Sequence, residues 1–215
     1  PVKSSRRNRP LNRDCILVYS LCAALAYGCN GADPTGPNLR INEVMAGNIS
    51  GLQDEEGAFH DWIEIHNPTG RTISLEGYGL SDTKSRPLKW TFPDVNIGAD
   101  QYLTVFASKR DQKDPSKRLH TNFKIRSKGE NIGLSRPDGR YIDRVDLPSS
   151  PPDVSFGRDP SQPAQWLFFH EPTPDATNSP NGWSGDRIQS PQNHPTLNEV
   201  LPDNQHTSID EDGDP

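Results

Sequence analysis

Two separated stretches of this chain carry the same pattern, and the recurrence limits the folding unit before any strand or helix is assigned. Ile41-Asn42-Glu43-Val44-Met45 returns as Leu197-Asn198-Glu199-Val200-Leu201, and Asp54-Glu55-Glu56-Gly57 returns in the same register as Asp210-Glu211-Asp212-Gly213. Recurrence at a fixed spacing makes the span of one copy the unit, and here that span is about one domain. The expected layout is one complete copy over 39–180 and the truncated start of a second over 197–215, together part of a longer tandem protein.

What precedes the first copy has the composition of an export signal. Lys3, Arg6, Arg7, Arg9 and Arg13 form a basic leader, followed by an apolar run over 16–26. A bilayer span takes roughly 20 residues; this run instead fits the roughly 7–15 of a secretory signal. Residues 1–29 are therefore read as a signal peptide. Ala24-Leu25-Ala26 offers an ordinary cleavage site, while Leu25-Ala26-Tyr27-Gly28-Cys29 resembles a bacterial lipobox, whose cysteine takes a lipid after cleavage. The lipoprotein reading is adopted, with Cys29 as the lipidated residue and Tyr27 standing where a small residue is usual. Residues 30–38 form a Pro/Gly tether.

All three cysteines (Cys15, Cys22, Cys29) lie in the leader, so the body can hold neither a disulfide nor a thiolate metal site. Its stability must come from a packed core. The formal charge is −6, and the leader sets five bases against Asp14, so the body is more acidic than the whole. No nucleic-acid partner is expected of it, because binding phosphates needs a basic face that displaces counterions.

Along the body, strand signals come at short intervals and no helical period is sustained. Strands are predicted at 39–44, 62–66, 72–75, 78–81, 89–92, 102–107, 122–125, 131–135, 140–146, 154–157 and 166–169. Several alternate with period two. In Asp61-Trp62-Ile63-Glu64-Ile65-His66, the two isoleucines share one face while Trp62, Glu64 and His66 share the other. Arg136-Pro137-Asp138-Gly139-Arg140 reads as a tight turn, with proline fixing φ and glycine accepting the left-handed position. Many short strands broken by glycine and proline predict an all-β, immunoglobulin-like β-sandwich. Residues 181–196 are polar and proline-rich, a linker in which Trp183 is read as a cap on the domain's base.

The order of signatures resembles the lamin-tail domain, an immunoglobulin-like module also found in exported bacterial proteins. The resemblance rests on Ile41-Asn42-Glu43-Val44-Met45-Ala46, Asp61-Trp62-Ile63-Glu64-Ile65-His66-Asn67-Pro68, Leu75-Glu76-Gly77-Tyr78-Gly79-Leu80-Ser81-Asp82 and Lys89-Trp90-Thr91-Phe92-Pro93. It continues through His120-Thr121-Asn122-Phe123, Gly129-Glu130, Pro137-Asp138-Gly139, Ser155-Phe156-Gly157-Arg158 and Pro172-Thr173-Pro174. His66 stands where bacterial members more often carry an aromatic. The resemblance implies a binding or spacer module with no catalytic residues to transfer, in proteins often coupled to surface enzymes or spore-coat-like kinase domains. Analogy of fold does not fix a ligand.

Several groups of residues could carry chemistry. Asp54, Glu55 and Glu56, with Asp61 nearby, could supply carboxylate oxygens to Ca²⁺; the simpler reading is a solvated loop between strands. Asp210-Glu211-Asp212-Gly213-Asp214 has acids at alternate positions but lacks the sixth-position glycine of a calcium loop, and the recurrence already accounts for it. His60, His66, His120 and His170 show no metal-ligand spacing and read as surface or turn histidines. No nucleophile motif is present. Trp62, Trp90, Trp166 and Tyr78 suggest a sugar platform, with core packing the simpler account. Lys109, Arg110, Lys113, Lys117 and Arg118, interleaved with Asp111 and Asp114, read as a solvated basic loop.

The expectation is a non-catalytic exported module at the cell envelope, or free outside it, that meets an unidentified protein or polysaccharide and touches the membrane only through its lipid. The alternatives are an accessory module of a surface enzyme whose catalytic domain lies beyond residue 215, and a Ca²⁺-stabilised carbohydrate-binding module. Cofactors are expected to be none, or Ca²⁺ on the second alternative.

Overall fold

The computed structural model describes residues 38–185. The leader with Cys29, most of the tether and linker, and the second copy lie outside the described residues.

Eleven strands follow one another with no α-helix among the described residues: β1 (Arg40–Met45), β2 (Trp62–His66), β3 (Ile73–Ser74), β4 (Gly79–Ser81), β5 (Trp90–Thr91), β6 (Asn96–Ile97), β7 (Tyr102–Phe106), β8 (Asn131–Ser135), β9 (Tyr141–Asp146), β10 (Ser155–Arg158) and β11 (Trp166–Phe169). They form a five-stranded sheet in the order β11-β10-β1-β2-β7, a four-stranded sheet β5-β4-β8-β9, and a small β3-β6 pair. Every pairing between these strands is antiparallel.

Alternation explains the core. Ile41, Val44, Ile63, Ile65 and Val105 turn inward from the larger sheet, and Leu80, Trp90, Ile132, Leu134, Ile142 and Val145 meet them from the smaller one in a single buried cluster. Each fully buried aliphatic side chain contributes about 1.5–3 kcal/mol. This is the predicted all-β, immunoglobulin-like sandwich. The β8–β9 turn forms as expected: the Arg136 amide donates to the Arg140 carbonyl at 2.9 Å, and Gly139 takes φ +83°.

Two strand assignments need correction. Residues 122–125 form no strand, although Phe123 and Ile125 are buried. They plug the core from a loop strapped to the end of β7, where His120 bridges Phe106 and Lys124 bridges Ser108. The loop closes on itself through a bond from Thr121 Oγ1 to the Phe123 carbonyl at 2.8 Å, so its alternation reflects burial without a sheet partner. Conversely, β6 was not foreseen; Ile97 pairs with Ile73 in a stretch too short for any periodic signal.

The face of β2 opposite the core departs from the usual half-buried strand. Trp62, Glu64 and His66 are as buried as the isoleucines between them. Trp62 packs on Met45 and Phe106. The rest of that face is occupied by the segment after β11, from Thr173 to Asn178, whose groups bond into the strands beneath it.

Candidate functional site

At one end of this outer face, the β1–β2 connection meets the loop that follows β7. Asp54 opens a tight turn: its carbonyl accepts the Gly57 amide at 3.0 Å, and Gly57 takes the left-handed φ of +78°. Oδ1 of Asp54 accepts the amides of Glu56 (3.0 Å) and Ala58 (2.8 Å). That leaves Oδ2 directed at two side chains, His60 Nε2 at 3.1 Å and Arg110 Nη1 at 2.8 Å. The Asp54 side chain is 1% exposed. Burial, the largest influence, would raise its pKa; the two amides, Arg110 and His60 together outweigh it and hold the carboxyl below its usual range.

His120 completes the corner. It is buried, its ring lies 5.7 Å from that of His60 and 5.1 Å from that of Phe106, and Ser108 Oγ sits 2.8 Å from its Nδ1. Burial, reinforced by the Arg110 charge, lowers its pKa and favours the neutral ring. One ligating atom each from Asp54, His60 and His120 lies within 4.8 Å of the others. Beside them opens a surface cavity of about 440 Å³ lined by Glu55, Glu56, Arg110, Lys117, Arg118 and His120, among others.

The four acids proposed as a Ca²⁺ loop do not come together in this way. Among the described residues, Asp54 groups with His60 and His120 and not with Glu55, Glu56 or Asp61. Glu55 accepts the Arg118 amide, Glu56 holds Arg110 at 2.7 Å, and Asp61 Oδ1 accepts the amides of Gly47 and Asn48. These carboxylates are engaged by backbone amides and by Arg110, which Asp54 and Glu56 share, so the contiguous acidic run does not make one oxygen cage. Two of the histidines read as surface groups are also buried, His66 and His120.

The other candidates disperse. Trp62 and Trp90 are 1% exposed and belong to different clusters, so no aromatic platform forms with Trp166, which stacks on Phe156 under the Arg158 guanidinium. His66 fills the place of an aromatic by stacking on Tyr102, with ring centroids 4.2 Å apart and planes 6° from parallel. Arg40 can only donate to its Nδ1, so Nε2 carries the proton shared with Asp100 at 3.0 Å. The basic loop is bound down as well as solvated: Arg110 pairs with Asp54 and Glu56, and Arg118 with Asp175 at 2.7 Å. His170 stacks on Trp183 at 4.1 Å, and Trp183 exchanges backbone bonds with Phe168 on β11.

Sequence reasoning missed the buried seam beside this corner. Glu43 faces Glu64 across β1 and β2, and both are 0% exposed. Glu64 accepts Asn42 Nδ2 at 2.8 Å, together with the Asp175 amide. Glu43 accepts the Ser155 hydroxyl and the Thr173 amide. Asn178 joins the pair by bonding Asn42 at 2.7 Å. Burial, opposed by the Asn42 bond and assisted by the Glu43 charge, pushes Glu64 up to about 8; burial raises Glu43 too. The available signal was an acid set between isoleucines in β2, opposite another acid in β1.

Two antiparallel sheets closed over one core define an immunoglobulin-like module. The Lamin Tail Domain family model matches residues 32–149, and the chain belongs to that family, whose fold is non-catalytic. The sandwich continues past the matched span, since β10 and β11 extend the sheet that contains β1. No curated protein matches the chain.

Proposed function

We propose that this chain is an exported, lipid-anchored lamin-tail module that spaces or presents partners at a bacterial cell envelope through protein or polysaccharide contacts, within a longer tandem-domain protein. The reading rests on the order of segments: a basic leader, an apolar run ending at the lipobox-like Leu25-Ala26-Tyr27-Gly28-Cys29, a Pro/Gly tether, and a body free of cysteine. The recurrence of the β1 pattern at 197–201 supports the tandem arrangement. The covered outer face of the larger sheet supports contact through loops and edges.

The test is metabolic labelling with a fatty acid in a bacterial host. Labelled chain in the membrane fraction, lost on Cys29→Ser, is the expected result. Unlabelled chain retained in the cytoplasm overturns the reading. Co-sedimentation of the purified chain with isolated envelope polysaccharide, scored against envelope protein, then separates the two kinds of partner.

A further inference from the structure

We propose that Asp54, His60 and His120 form a zinc-binding site in which Arg110 holds the Asp54 oxygen that the metal ion would take. The donor set is two imidazoles and one carboxylate oxygen, which suits Zn²⁺ with three protein ligands and an open fourth position. The geometry is close to what the ion requires. His60 Nε2 and Asp54 Oδ2 are 3.1 Å apart, near the roughly 3.3 Å edge of a tetrahedron with bonds of about 2.0–2.1 Å. The third ligand atom lies within 4.8 Å of both, so the His120 ring must move toward the other two for all three to reach one ion.

The surroundings hold Asp54 and His120 as the groups behind metal ligands do. Both lone-pair directions of Asp54 Oδ1 are taken by the amides of Glu56 and Ala58, which fixes the carboxylate with Oδ2 outward. Ser108 engages His120 at Nδ1 and leaves Nε2 to ligate. Ser108 Oγ also accepts the Arg110 amide and retains capacity for an Nδ1–H, the tautomer that a metal on Nε2 selects. Phe106 packs against both rings and brings them to one corner. The cavity lined by His120 gives access and space for the fourth ligand.

Arg110 explains how the same residues hold together without an ion. Its Nη1 reaches Asp54 Oδ2 at 2.8 Å and Glu56 Oε2 at 2.7 Å, and the side chain is 38% exposed. An incoming cation takes the Asp54 contact, and the guanidinium keeps Glu56 as it moves outward. Arg110 is therefore a built-in competitor that weakens the site without abolishing it. The ion, once bound, ties the β1–β2 connection to the loop after β7.

The experiment uses the untagged full chain with Cys15, Cys22 and Cys29 replaced by serine, which removes the leader's thiolates as competing ligands. Titration with Zn²⁺ by calorimetry, and with Co²⁺ read by its visible absorption, should show a single site with a tetrahedral or five-coordinate spectrum. Arg110→Gln should tighten binding by about tenfold or more, since it removes a cation beside the ion. Asp54→Asn, His60→Ala and His120→Ala should each weaken it by about tenfold or more, the lower end of what losing a ligand costs being set by outer-shell losses of that size. His170→Ala should leave it unchanged, with thermal melts confirming that each variant folds. If neither the parent chain nor Arg110→Gln binds Co²⁺, the proposal is wrong. It is equally wrong if binding survives in the folded His60→Ala/His120→Ala double variant.

Discussion

Glu64 and Asp54 are both buried carboxylates beside the outer face of the five-stranded sheet, yet their surroundings drive them in opposite directions. Glu64 is met by an amide side chain, a backbone N–H and another glutamate. None of these carries positive charge, so desolvation dominates and the acid retains its proton to about 8. Asp54 meets two amides, an imidazole and a guanidinium, which outweigh its burial and keep it ionised. One carboxyl thus serves as a neutral peg that holds the segment from Thr173 to Asn178 in place. The other is an anion facing exchangeable partners. Burial alone does not mark a functional acid; the charge and mobility of what faces it do.

The contrast can be broken most severely at the peg. Glu64→Ala strips partners from Asn42 and the Asp175 amide and opens a cavity, at a cost of about 4 kcal/mol in urea unfolding; a loss under about 1 kcal/mol would show that the covering segment does not depend on it. Gly157 faces Glu43 from β10, and a Cβ there would stand 2.6 Å from Asn178 Nδ2 and 3.0 Å from Glu43 Cγ. Gly157→Ala should therefore cost about 2–3 kcal/mol, with exchange of the Thr173 and Asp175 amides accelerated first.

Acidity sharpens the comparison. An unfolded glutamate titrates near about 4.3, whereas Glu64 holds its proton to about 8, so between these values the folded chain binds a proton that the unfolded chain has released. Stability from this group is full below the lower value and is lost as pH rises through the upper one. His66 and His120, lowered chiefly by burial from 6.5, act oppositely up to that point, so the decline shows clearly between pH 6.5 and 8. One proton limits it to about 2 kcal/mol over that window. Glu64→Gln should flatten the slope, and an unchanged slope would assign the proton elsewhere.

The smallest effect belongs to the corner. Arg110→Gln removes an ion pair whose cation is partly exposed, while the two amides on Asp54 remain, and should cost about 1 kcal/mol or less, with the loss shrinking in high salt. A larger, salt-independent loss would make Arg110 structural and erase the distinction drawn here.

The strands were legible because period two survives in a single sequence: Ile63 and Ile65, or Ile132 and Leu134, announce a face without help from elsewhere. Neither polar group could be read that way. Glu64 looks like the solvent side of a strand until Asn178 and Thr173 arrive from the far end of the domain to cover it. His60 and His120 stand on different loops and meet only because both rings pack on Phe106. The acids at 54–56 drew attention by adjacency, but a turn points successive side chains to different partners, so nearness in sequence misled where distance in sequence converged.

The slip in pairing between Ile41 and Glu43 bears on how this central strand tolerates change. A pleated strand normally sends residues an odd number apart to opposite sides, yet Ile41 and Val44 both reach the hydrocarbon interior, because Asn42 is the extra residue that resets the parity. Deleting that asparagine would restore ordinary alternation with Arg40 and Ile41 still on their present sides, so what the strand would lose is the link that Asn42 makes to Glu64 and Asn178.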